Sequence, residues 1–333
     1  MALLKPAYKL TIGGKVIDTT DEPKASIVVD MKIVLDLDTP ADSFTFQLGN
    51  VGTFRPARED EVKIELGYAD DGGFTQVLKG TVEHVLPDLT ITKVSGYSGA
   101  DALLRTFVEQ TYESKSAGAI VRDLADKAGL TVATAEDGIE FPAYVVDGRR
   151  SAYLHMHDLA DLCGFDLYIN PDGELIFEKF FSGKTIHVFD FAKHIVGFDV
   201  ARTPPLAGLV EAWGESPAGS QGENSWAWVT TDFSGSRGRA GEGALFLHER
   251  PALRTREAAA TAATALLTNI KRRTLRGNVM TIGRPQVKLG DAVRFREMSD
   301  DSLNAVFQVR KVTHRVNKLK GFTTTVGFRS IET

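Results

Sequence analysis

The chain has 333 residues, 43% apolar and 25% charged, with a formal net charge of -5. That length exceeds one ordinary core and predicts two or three domains of a soluble globular protein, while the acidic balance offers no electrostatic footprint for nucleic-acid recognition. A single cysteine, Cys163, excludes an intrachain disulfide and a cysteine-based zinc site, and no stretch approaches the ~20 apolar residues of a membrane span. Met1 to Leu10 lacks the apolar core of a signal peptide, so synthesis and folding in the cytoplasm are expected.

Residues 8 to 96 read as strands almost throughout. Tyr8 to Ile12 meets Gly13-Gly14, a two-residue hairpin signal, and Lys15 to Ile17 returns. Ile27 to Val29, Met31 to Leu37 and Ser43 to Leu48 follow with period-two alternation. At residue 97 the period changes. Ser98 is placed to cap a short helix, with Asp101 three positions on. A longer helix starts at Ser116 and carries Ala117, Ile120, Val121, Leu124, Ala125 and Ala128 at helical spacing before Gly129. A third runs from Ser151 through Met156, Leu159, Ala160 and Cys163 to Gly164. The strands Phe165 to Ile169 and Glu174 to Glu178 flank the turn Asn170-Pro171-Asp172-Gly173.

From about residue 203 the pattern returns to β with Leu209 to Trp213. Residues 214 to 250, rich in Gly and Ser and containing Trp226 and Trp228, read as an excursion between strands. A helix follows with Ala259, Ala262, Ala263, Leu266, Leu267 and Ile270 on one face, and its basic end, Lys271-Arg272-Arg273, complements the helix dipole.

One β pattern occurs twice. Asp60-Glu61-Val62-Lys63-Ile64, Val77 to His84 and Thr90 to Gly96 parallel Asp291-Ala292-Val293-Arg294-Phe295, Val306 to His314 and Thr323 to Phe328. The Asp-to-His spacing is 24 residues in one copy and 23 in the other. A repeated β-unit at both ends of a chain predicts two related barrels, which points to symmetric assembly more than to an active site.

Chemical motifs are sparse. His155 and His157 lie two apart on a predicted helix and so point about 200° apart, unsuited to sharing a metal; they read as surface residues that pair with Asp158 and Asp161. His84 and His314 read as matched structural positions making the same strand-end hydrogen bond. Gly235 to Gly241 lacks the Gly-Lys-Ser/Thr ending of a phosphate loop and reads as a flexible loop. Cys163 reads as inert packing. Trp213, Trp226 and Trp228 are candidates for a partner surface or for internal packing. No nucleophile elbow, paired carboxylates or His-Glu metal motif is present, so no catalytic, cofactor or metal residues are assigned and the protein is expected not to be an enzyme.

The order of elements resembles the tail or baseplate hub proteins of contractile phages and related injection systems, including the late control gene D proteins and the hub part of VgrG-like spikes. The resemblance is carried by Phe44-Thr45-Phe46, the Asp60 strand, the strand ending at His84, the Ser116 helix and the Ser151 to Phe165 helix. Its most specific part is the Ala-rich helix followed by Gly283-Arg284-Pro285-Gln286-Val287-Lys288-Leu289-Gly290-Asp291, then Phe307-Gln308-Val309, Val312-Thr313-His314 and Gly321 to Thr325. It covers most of the chain, with no counterpart for 214 to 250. It implies a β-rich α+β protein: a tube-like β-barrel at 1–96, an α+β domain at 97–200, and a second barrel at 201–333 carrying the insertion. It also implies a homotrimer whose six barrels join a sixfold tail tube to a threefold spike, with wedge proteins as neighbours. The location would be the baseplate of a virion or injection particle, assembled in the bacterial cytoplasm. Because the sequence stops after the second β pattern without β-helical repeats, the spike is expected to be a separate polypeptide. The rival readings are a tail-associated cell-wall hydrolase and a host-surface carbohydrate-binding β-protein.

Overall fold

A computed structural model describes residues 4–20, 28–49, 55–70, 73–214 and 237–331. β1 (Pro6–Ile12) turns at Gly13, whose φ is 55°, into β2 (Lys15–Asp18). β3 (Val28–Asp36), β4 (Ser43–Gly49), β5 (Glu61–Tyr68), β6 (Gly73–Pro87) and β7 (Ile91–Ser98) follow. Apolar residues at every second position bury one face: Phe44, Phe46 and Leu48 on β4, and Val62, Ile64 and Leu66 on β5.

The period then changes as expected. α1 (Ala100–Arg105), β8 (Gln110–Ser116), α2 (Ala117–Lys127), β9 (Val132–Ala135), β10 (Glu140–Val146), α3 (Ala152–Cys163), β11 (Asp166–Ile169) and β12 (Leu175–Glu178) make an α+β region. Ser116 caps α2, its Oγ accepting from the Ala119 N–H at 3.2 Å. Gly164, with a φ of 71°, closes α3 in the left-handed conformation. Ser98 does not cap α1: it ends β7, paired with Gly80, and Gly99 takes the cap position. Sheet pairing claimed the backbone that the capping box needed.

The remaining elements are β13 (Ile186–Asp190), α4 (Phe191–His194), β14 (Ile195–Arg202), β15 (Leu209–Trp213), β16 (Gly238–Gly241), β17 (Leu245–Glu249), α5 (Arg256–Arg272), β18 (Leu275–Ile282), β19 (Ala292–Arg296), β20 (Val306–Asn317) and β21 (Gly321–Ser330). Thr255 caps α5, accepting from the Ala258 N–H at 3.2 Å. The segment Gly238 to Gly241, expected as flexible loop, is a strand paired with β15; the β15 edge offers it a ladder of backbone partners.

The fold is β-rich α+β. Its main feature departs from two separate barrels, because strands from both ends of the chain form one 13-stranded sheet in the order β14-β18-β21-β20-β3-β4-β7-β6-β5-β1-β2, with β13 and β19 joined at β20. The two halves are fused by antiparallel pairing of β20 with β3, from Lys311 opposite Asp36 to Asn317 opposite Asp30. Among the described residues neither half closes on itself. A strand edge left open costs unpaired backbone groups, and here each half covers one edge of the other.

Two apolar clusters result; their buried members up to Val94 lie in the first and those from Ala100 to Phe177 in the second, while elements on either side of 201 are shared between them. One gathers the inner face of the large sheet, including Phe189 of β13 and, at its margin, Phe198 of β14. The other holds the α+β region together with β15 and α5, whose Ala258, Ala259, Ala262, Ala263 and Leu267 are buried beside Val210 and Ala212. The small Ala side chains let the helix lie close upon β15 and β16: a Cβ on Gly238 would fall 2.1 Å from the α5 backbone.

Candidate assembly interface

The repeat is real in three dimensions. Strands β3-β4-β7-β6-β5 and β14-β18-β21-β20-β19 are hydrogen-bonded in the same order and follow one another in the same chain order. Two bulges recur at matching places. One skips Val29 between Val28 and Asp30, and its counterpart skips Val196 between Ile195 and Gly197. The second skips Glu83 between Val82 and His84, and its counterpart skips Arg310 between Val309 and Lys311. A bulge inserts one residue and resets which side chains face the core, so shared bulges fix the alignment of the two units.

The repeated aspartates do the same work. Asp60 Oδ2 accepts from the Ala57 N–H at 2.8 Å, and Asp291 Oδ2 from the Lys288 N–H at 3.1 Å. Their carbonyls then take the N–H of Val82 at 2.9 Å and of Val309 at 3.1 Å. The residue before each is left-handed, Glu59 at a φ of 67° and Gly290 at 83°. Each aspartate therefore ties a tight turn to the strand that the turn launches.

The histidines are not equivalent, contrary to expectation. Asp60 to Val82 spans 22 positions and Asp291 to Val309 only 18, so matching by Asp-to-His spacing slips the register. The residue structurally matched to His84 is Lys311, each being the first past its bulge. His84 is exposed, whereas His314 is fully buried with Nδ1 3.0 Å from Thr324 Oγ1. Burial pushes His314 down to about 4.

This alignment exposes an unused pair of edges. On β20, Val306 to Gln308 pair with β19 and Lys311 to Asn317 pair with β3. On β6, Gly73 to Thr81 pair with β5, but His84 to Pro87 pair, among the described residues, only with β7. The strand matched to β3 is β14, which among the described residues pairs only with β18. The contact that joins the two units within the chain thus has a vacant counterpart, the end of β6 on one side and β14 on the other. Transferring the β20–β3 register places Val85, Leu86 and Pro87 opposite Arg202, Ala201 and Val200. Exposed apolar side chains lie on both edges, Leu86 on β6 and Val196 and Val200 on β14.

The strand order also fixes direction. Neighbours from β20 through β3, β4 and β7 to β6 are all antiparallel, so β20 and β6 run the same way. Their hairpin tips therefore project from one end of the sheet. Each tip carries an almost fully exposed leucine, Leu89 at 94% and Leu319 at 95%.

The other predicted candidates do not converge. His155 is buried rather than on the helix surface, its Nε2 3.1 Å from the Asp147 carbonyl. His157 pairs with Asp161 at 3.4 Å, while Asp158 pairs with Arg150 at 2.7 Å. Cys163 is buried beside the Ile139 N–H, and burial pushes its thiol up to about 11. Trp213 lies 5.5 Å from the Arg237 guanidinium; Trp226 and Trp228 lie outside the described residues. Sequence reading missed one perturbed acid, Asp42. Burial, with the neighbouring Asp36 carboxylate, pushes it up to about 7, and its Oδ1 accepts from the Asp36 N–H at 2.9 Å. The two cavities beside it hold only about 10 Å³ each, too little for a sugar or peptide substrate.

No protein-family model and no curated protein matches the sequence. Solved structures do match the fold. The 43 kDa tail protein of prophage MuSo2 from Shewanella oneidensis superposes with a TM-score of 0.74 over 97% of this chain and 98% of its own, at 12% identity. The tail protein from Neisseria meningitidis MC58 does so with a TM-score of 0.70 over 98% and 97%, at 14% identity. The chain shares the fold of these two tail proteins. The E. coli c3393 protein, a component of the type VI secretion system described as structurally similar to the T4 tail proteins gp27 and gp5, matches over 96% of this chain and 76% of its own. Its TM-score is 0.63 at 9% identity.

Proposed function

We propose that the chain is a non-enzymatic structural component of a phage-type contractile tail, a homotrimeric baseplate hub in which three copies form a ring of six related β-units. The observation that carries the reading is the vacant counterpart of the β20–β3 junction. Within the chain, unit two docks on unit one through that junction. Repeating it between chains, β6 of one copy against β14 of the next, makes a head-to-tail contact of the kind that closes into a ring. The ring would supply the tube-like barrel that one chain leaves open, with the α+β cluster as its outer brace. Six hairpin tips bearing Leu89 and Leu319 would face one axial partner, a sixfold tail tube; a separate threefold spike and wedge proteins complete the proposed contacts. The cavities around Asp42 are too small for a hydrolase site at that acid.

Light scattering on the full chain tests the assembly, with three times the chain mass expected. A cysteine pair, Leu86→Cys with Ala201→Cys, tests the junction, because paired strands bring such residues within disulfide reach. Oxidation should yield a ladder of covalent dimers and trimers on a non-reducing gel. A strictly monomeric protein, or oxidation that yields monomer alone, would overturn the proposal.

A further inference from the structure

Where the two apolar clusters meet, four arginines gather at one end of a surface groove of about 730 Å³. Arg310 on β20 spans Asp166 at 2.8 Å and Asp38 at 2.5 Å. Arg329 on β21 has only neutral partners: its Nε donates to Gln308 Oε1 at 2.8 Å and its Nη1 to Asn269 Oδ1 at 2.9 Å. Arg272, in the last turn of α5, lies 6.0 Å from the Phe180 ring, and its Nε is buried without a hydrogen-bond partner, as is that of Arg310. Arg273 stands exposed at the rim.

Four guanidinium groups therefore share two carboxylates. Gln308 and Asn269 satisfy hydrogen bonds of Arg329 but none of its charge. Burial, with Arg310 and Arg272 beside it, pushes Arg329 down to about 10. A part-buried cation with neutral partners and like-charged neighbours leaves electrostatic energy that an arriving anion recovers.

The groove lining also carries Asp158, paired with Arg150, and Asp161, paired with His157. A long polyanion laid along it would meet those carboxylates, and the net charge of -5 adds to the repulsion. A short acidic peptide segment reaches the arginines without that repulsion along its whole length, and the volume falls within the ~300–1,000 Å³ usual for ligand sites. We propose that the arginine end of this groove is a carboxylate-docking site for an acidic segment of a partner protein. Arg272 and Arg329 receive the carboxylates, and Arg310, held by Asp38 and Asp166, positions the floor. These residues are distinct from the strand edges at β6 and β14, so the site holds or fails independently of the ring.

The test is fluorescence anisotropy on the full chain with a labelled peptide in which a run of glutamates precedes serines. Its glutamine counterpart, inorganic phosphate and a single-stranded oligonucleotide serve as competing probes. The glutamate peptide should bind, weaken as salt rises, and lose roughly tenfold affinity in Arg272→Gln and in Arg329→Gln. Arg294→Gln, at an exposed side chain of β19, should bind as the parent does. Thr264→Trp, on the exposed face of α5, blocks the groove while leaving every charge in place, and should also abolish binding. The proposal is overturned by any of three results: equal binding of the glutamine peptide, unchanged affinity in Arg272→Gln and Thr264→Trp, or preference for phosphate or the oligonucleotide over the glutamate peptide.

Discussion

Glu59 and Gly290 hold the same place in the two units, yet exchanging side chain and glycine there has a different cost at each. Gly290 has a φ of 83°, and a Cβ there would come 2.3 Å from Tyr168 Oη. Gly290→Ala therefore meets two penalties: ~1–2 kcal/mol for a side chain in the left-handed region and ~1–3 kcal/mol for displacing the part-buried tyrosine. A loss near ~3 kcal/mol is expected. Glu59 already bears the first penalty at a φ of 67°. Glu59→Gly relieves it while adding freedom to the unfolded chain, and the two should offset to within ~0.5 kcal/mol. Thermal unfolding followed by circular dichroism at neutral pH reads both, with a fall of roughly 5 °C or more for Gly290→Ala. In a Tyr168→Phe background the hydroxyl is gone, so Gly290→Ala should cost only the conformational ~1–2 kcal/mol. A Gly290→Ala protein as stable as the parent, or one that Tyr168→Phe fails to rescue, would refute the reasoning.

Two buried groups predict opposing pH dependences. His314 is held at about 4 against an ordinary 6.5, so the unfolded chain takes its proton first and stability falls as pH drops from ~6.5 to ~4, by as much as ~3 kcal/mol. Asp42 is held at about 7 against 3.8, so its folded form keeps the proton longer; stability is full below ~3.8 and lost as pH rises through ~7, by as much as ~4 kcal/mol. Asp42→Asn keeps an acceptor for the Asp36 N–H and should raise stability at pH 8 while steepening the loss below pH 6. His314→Leu should do the reverse and remove that acid loss. Denaturant midpoints between pH 4.5 and 8 check both, and parallel pH profiles for parent and variants would contradict them.

Much of the fold was legible because it rests on local rules. Alternation marked β4 and β5, the helical period marked α2, α3 and α5, and Asn170 to Gly173 marked the turn between β11 and β12. The repeat was readable from Asp60 and Asp291, since a turn that launches a strand repeats its aspartate. Ser98 failed as a cap because a strand partner outcompeted a local hydrogen bond. His84 and His314 were mismatched because a bulge and unequal loop lengths leave no trace in hydrophobic alternation. Arg272 was read only as part of a basic helix end and was not linked to Arg310 and Arg329, since 57 positions separate the first and last and no periodicity links them.

By itself the sequence determined that this protein is β-rich, that one β-unit occurs twice, and that no compact catalytic motif is present. These follow from side-chain period and turn chemistry, which act over a few residues. Only the tertiary structure decided that β20 docks on β3, that β6 and β14 are left as a matching vacant pair, and that α5 packs with the central α+β region. Those outcomes depend on which backbone edges and apolar faces meet across the chain, a competition among distant partners that no short window of sequence records.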